Sequence, residues 1–202
     1  MRTTAEAAGF ATLNIGYASR RNPLEALAED IHPAIARFAD DTRGSLHFVC
    51  HSMGGLLARV YLVRYRPARL GRVVMLGTPN GGSELADSLK GFWRYRAWFG
   101  PAGQQLGTQR DDALDAMLPP LDYPVGIIAG NRSIDPFASI WLPKPHDGPV
   151  SVERTKLDGM ADHVVVGAVH PWLPRSASAM EQTIAFLRNG KFGSTNENGR
   201  TK

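Results

Sequence analysis

One stretch constrains this chain more than any other: Leu46-His47-Phe48-Val49-Cys50-His51-Ser52-Met53-Gly54-Gly55. An apolar strand ends, one serine follows, and a helix begins at once. Only a very sharp turn can make that junction. The residues two before and two after the serine must then nearly touch, so both must be small. Gly54 meets that need fully, and Cys50 meets it less well. The pattern is a G-x-S-x-G elbow with cysteine in place of the first glycine. Such a turn lifts the Ser52 hydroxyl clear of the sheet. It also sets the Met53 backbone N–H at a helix N-terminus, where it can stabilise an oxyanion. A serine that only caps the helix is the plainer alternative. The strand before it, the helix after it, and His51 and Met53 at its sides favour a nucleophile.

The surrounding pattern predicts alternating strands and helices. Phe10 to Tyr17 is β-compatible. Before it, Thr3 to Ala8 reads as the end of a helix capped by Gly9. Asn22 and Pro23 open a helix whose apolar face, Leu24, Leu27, Ala28, Ile31, Ile35 and Phe38, recurs at three and four. A second helix runs from Met53 to about Arg66. Arg72 to Gly77, Val125 to Ala129 and Val164 to Val169 are continuous apolar runs of the kind buried in parallel sheets. A last helix spans about Ser176 to Arg188. The expected class is α/β with a mainly parallel sheet and helices on both faces. The expected organisation is one domain over 1–192, with an insertion at about 84–121 and a polar tail over 193–202.

Composition narrows the function classes. The 202 residues carry a formal net charge of +4, and their basic residues are scattered rather than run together. Nothing there argues for nucleic acid. Cys50 is the one cysteine, so neither an internal disulfide nor a cysteine zinc cluster is possible. No apolar run approaches the roughly 18–20 residues of a membrane span, and no apolar signal core follows Met1. No G-x-G-x-x-G opens a helix after the first strand and no P-loop exists, which disfavours a nucleotide-binding protein.

The segment Cys50-His51-Ser52-Met53-Gly54-Gly55-Leu56, with Ala58-Arg59 after it, resembles lipase-type serine α/β-hydrolases. Gly77-Thr78-Pro79-Asn80-Gly81-Gly82-Ser83 is similar to their G-T-P-x-x-G-S segment. The likeness continues through Asp147-Gly148, Val150-Ser151-Val152, Gly159-Met160 and Asp162-His163 to His170. It covers nearly the whole chain in order and is specific to bacterial esterase-lipase enzymes. It implies the α/β-hydrolase fold, no metal or cofactor, and a small-molecule or lipid ester as substrate. The expected location is cytoplasmic or peripheral to a membrane.

In that fold the chain order is Ser, acid, His. Of six histidines, His32 and His47 precede the elbow. His51 adjoins Ser52 but points elsewhere in an elbow, and reads as a packing or polar-network residue. His146 lies beside a candidate acid. His163 precedes the last strand and His170 follows it, so topology favours His170 as the base. The acid should follow the strand at Val125. By sequence distance Asp135 and Asp147 both remain open, with Asp158 and Asp162 behind them. The resemblance selects Asp147, because the family acid sits in such an Asp-Gly-x-Val-Ser-Val segment. The insertion carries Phe92, Trp93, Trp98 and Phe99, which either line an acyl pocket or form a small satellite core.

One part of the pattern is absent. A second oxyanion donor normally comes from a loop after an earlier strand, often marked His-Gly, and no His-Gly precedes Ser52. The resemblance places that strand between those matched by Phe10–Tyr17 and Leu46–Cys50. Two readings follow: a start internal to a longer chain, which is preferred, or a weakened remnant. Either predicts that the two flanking strands leave a gap or pair abnormally. The leading functional reading is an ester hydrolase with Ser52, Asp147, His170 and the Met53 N–H. The alternatives are an acyltransferase with the same triad and a non-catalytic binding module.

Overall fold

The computed structural model describes residues 1–19, 21–82, 117–134 and 142–193. In chain order the elements are α1 (Arg2–Ala7), α2 (Leu24–Asp41), β1 (Leu46–His51), α3 (Met53–Tyr65), β2 (Leu70–Leu76), β3 (Val125–Gly130), a one-turn helix α4 (Val152–Thr155), β4 (Asp162–Val166), a 3-10 helix (His170–Arg175) and α5 (Ala177–Asn189). The four strands form one parallel sheet in the order β1-β2-β3-β4.

Strand alternation decides which helix covers which face. Val73, Met75, Val125 and Ile127 point to one side, where they pack with Leu24, Leu27 and Ile31 of α2 and Leu56, Leu57 and Val60 of α3. Val74, Leu76, Ile128, Val164 and Val166 point to the other, against Phe186 and Leu187 of α5. Every residue of β3 is buried, as a strand covered on both faces requires. The helices on both faces match the expected fold class.

The first helix, α1, ends at Ala7, and Gly9 follows it with φ 90°. Several local expectations are corrected. Asn22 does not cap α2; its amide donates to Asp30, and Pro23 occupies the capping position. Phe10 to Tyr17 forms no strand. A cavity of about 450 Å³ lies between that segment and β1, lined by Ile15, Tyr17, Val49 and His51 among others. The segment meets β1 through the Phe10 ring, edge-on to His47 at 6.0 Å. Among the described residues β1 therefore pairs on one side only, with β2.

At its start β1 slips register against β2 between Leu46 and Phe48. His47 covers the slip with its side chain: the Arg72 N–H donates to His47 Nδ1 at 2.8 Å. The last strand ends at Val166, three residues before the predicted end, and His170 opens the 3-10 helix that follows. Ser176 then caps α5 by accepting from the Ala179 N–H.

Candidate active site

The parallel sheet sends all four strands toward one edge, and the candidate residues lie in the segments that follow their C-terminal ends. Ser52 sits between β1 and α3 with φ 55° and ψ −131°, the one positive φ outside glycine among the described residues. Such a conformation costs about 1–3 kcal/mol and persists only where its surroundings impose it. Here three hydrogen bonds impose it. The Ser52 N–H donates to the Leu76 carbonyl at 2.8 Å, and the Ser52 carbonyl accepts from the Gly55 N–H at 3.0 Å. The buried Thr78 hydroxyl donates to the same carbonyl at 3.0 Å. The flanks of the elbow close as expected: a Cβ on Gly54 would lie 3.9 Å from the Cys50 Cβ. One residue on, a Cβ at Gly55 would lie 2.2 Å from the Thr78 hydroxyl, so no larger residue fits. Burial pushes the Cys50 thiol up to about 12, which keeps it protonated.

His170 Nε2 lies 2.9 Å from the Ser52 hydroxyl, and His170 Nδ1 lies 2.7 Å from Asp147 Oδ2. A carboxylate accepts, so Nδ1 carries the ring proton and Nε2 is the free base facing Ser52. Asp147 is 2% exposed. Its second oxygen, Oδ1, accepts the Val150 N–H at 3.1 Å. The loop around it is closed by the Asp147 N–H to the Val150 carbonyl and by a bridge between His146 and Ser151. The His170 N–H donates to the Asp147 carbonyl at 2.9 Å, so backbone and side chain of the two residues are joined in parallel. Gly77, at the end of β2 with φ 56°, makes room for this pair. A Cβ there would stand 3.0 Å from both Asp147 Oδ2 and His170 Nδ1.

The structure thus brings Ser52, Asp147 and His170 together and places Met53 at the head of α3. It assigns the other histidines elsewhere. His163 Nε2 bonds the Thr155 hydroxyl at 3.1 Å. Asp162 accepts from the His163 and Phe192 backbone amides, which ties β4 to the chain after α5. Asp158 is exposed in a turn. Asp135, Phe92, Trp93, Trp98 and Phe99 lie outside the described residues. The contribution of Gly77 was not read from sequence, and of His51 only a packing or polar-network role was. Gly77 stood inside a recognised segment, yet its contact with the Asp147–His170 pair needs the folded sheet. His51 reaches the backbone of His170, 119 positions away. Among the described residues no group of three or more His, Cys, Asp or Glu could hold a metal ion, and no helix is long and apolar enough to cross a membrane.

Comparison with solved structures identifies the architecture. A carboxyl esterase of metagenomic origin superposes with a TM-score of 0.66 at 21% identity, over 85% of this chain and 58% of that one. The mature lipase BlEst2 of Bacillus licheniformis gives 0.60 at 19% identity, over 76% of this chain and 69% of that one. A hyperthermophilic esterase of the archaeon Pyrobaculum calidifontis gives 0.58 at 19% identity, over 93% and 68%. The fold is that of the α/β-hydrolases. No protein-family model and no curated protein matches the chain. It spans 35% of the same lipase in its propeptide form and 58% of the metagenomic esterase.

Proposed function

We propose that this chain is a serine hydrolase of carboxylic esters. The observation that carries the reading is the unbroken relay from the Ser52 hydroxyl through His170 to a buried, doubly bonded Asp147. Ser52 attacks the ester carbonyl carbon while its proton passes to His170 Nε2. Asp147 holds the ring and stabilises the imidazolium. The Met53 N–H, at the positive end of α3, faces the developing oxyanion. Collapse of the tetrahedral adduct expels the alcohol, protonated by His170. Water then attacks the acyl-enzyme with His170 as base, releasing the carboxylic acid and restoring Ser52. Esterases and lipases among the fold neighbours support the substrate class.

A fluorophosphonate probe tests the reading. The protein should label stoichiometrically, and Ser52→Ala and His170→Ala should not. Equal labelling of Ser52→Ala would overturn it. An unlabelled but folded protein would favour the second reading, a non-catalytic binding module, which the one-sided pairing of β1 motivates.

A further inference from the structure

We infer that His51 is a positioning residue for the base, fixing the backbone of His170 relative to Ser52. This inference rests on the ester-hydrolase reading above. The His51 Nε2–H donates to the His170 carbonyl at 2.9 Å. A carbonyl only accepts, so this nitrogen is the protonated one and Nδ1 is bare. The two imidazoles lie with centroids 4.8 Å apart, tilted by 44°.

The geometry makes His51 a strut between two catalytic elements. It is covalently joined to Ser52, the elbow residue, and it grips the far side of His170. The His170 main chain is then held at both of its polar groups: its N–H by the Asp147 carbonyl and its C=O by His51. The relay needs His170 Nε2 to stay 2.9 Å from the Ser52 hydroxyl. Small displacements of a reacting group weigh heavily on rate, on the order of 10²-fold for about 1 Å. Without the strut, the first turn of the 3-10 helix keeps one tether to the site instead of two.

The ring environment suits a fixed donor rather than a proton carrier. Burial, with the His170 charge adding to it, lowers the His51 pKa to about 4, against the hydrogen bond to the His170 carbonyl and, less, the Asp147 carboxylate. The His51 ring therefore stays neutral above about pH 4. A charged His51 would place a second cation beside the imidazolium formed in the reaction.

The test compares His51→Phe, which keeps a ring of similar size and loses the donor, with His51→Gln, whose amide nitrogen reaches the same place. Expected is a kcat loss of about ten- to a hundredfold for His51→Phe, KM within about twofold, and recovery in His51→Gln to within about threefold of the parent. Wild-type kcat in a folded His51→Phe would overturn the inference, as would equal losses in both variants. If His51→Phe fails to fold, nitrogen NMR of the unmodified protein decides: a proton on Nε2 of His51 supports the strut, and one on Nδ1 refutes it. Phosphonate labelling lost in Ser52→Ala keeps the two readings separable. If that labelling persists, the ester-hydrolase reading fails. If it is lost while His51→Phe is unimpaired, only the strut fails.

Discussion

The Val150 N–H donates to Oδ1 of Asp147 at 3.1 Å, and this leaves Oδ2 as the atom that receives the His170 ring. The carboxylate therefore has one orientation. In Asp147→Asn the amide nitrogen placed at the Oδ2 position would face the Nδ1 proton with a donor, and the ring would turn to the wrong tautomer. We expect kcat for a chromogenic short-chain ester to fall by about 10³–10⁴-fold with the melting temperature little changed. A loss under tenfold would place the orienting acid elsewhere.

Gly77→Ala should damage the same pair from the opposite side. The added methyl would meet Leu173 at 2.8 Å and both relay atoms at 3.0 Å, on a backbone held at φ 56°. The left-handed conformation alone costs about 1–2 kcal/mol for alanine. We expect a lower melting temperature together with at least a tenfold lower kcat. An alanine variant with both values unchanged would mean that β2 can shift away from the site freely.

Thr78→Val removes one of the two donors to the Ser52 carbonyl while conserving shape. The Gly55 N–H still serves that carbonyl, so the cost is one net hydrogen bond, about 1 kcal/mol. Urea unfolding should register that loss, and Thr78→Ser should restore most of it. A destabilisation beyond about 3 kcal/mol would show that the hydroxyl does more than brace the elbow.

Stability should fall in mild acid, and His51 gives the sign. Its folded pKa of about 4 lies below the ordinary 6.5. Between those values the unfolded chain takes up a proton that the folded protein refuses. Stability is therefore full above about pH 6.5 and declines as pH drops toward 4, by on the order of 2–3 kcal/mol from this residue. His47 and His163 are shifted down as well, mainly by burial, and act in the same direction. The measurement is melting temperature from pH 7.5 to 4.5 for the parent and His51→Gln. A parallel decline in both would remove His51 as a source of the acid sensitivity.

Local rules read well wherever the chain supplied its own context. The elbow at Ser52 was legible because a strand, a small-residue turn and a helix are consecutive in sequence. The meeting of His170 with Ser52 was legible because the expected chain order places a histidine after the last strand. Asp147 against Asp135 was not decided by spacing; it needed the family likeness, and the folded loop around Val150 sets Asp147 against His170. Phe10–Tyr17 misled because β-propensity describes a side chain that fits a pleated surface. That segment has the right residues, yet a cavity rather than a ladder lies between it and β1. His51 and Gly77 act through contacts with His170 that no local pattern encodes. β4 ends early where the chain turns tightly, the Ala168 N–H donating to the Val166 carbonyl at 2.8 Å.

The bond between His170 and Ser52 spans 118 positions of chain. The elbow is a local structure, but this contact closes only when every strand from β1 to β4 has taken its place. Loops of that length close late and with little local help. Under the proposed function, reactivity at Ser52 is thus a gauge of completed folding. A probe added during refolding should mark molecules only after the whole sheet has assembled, long after the first helices have formed.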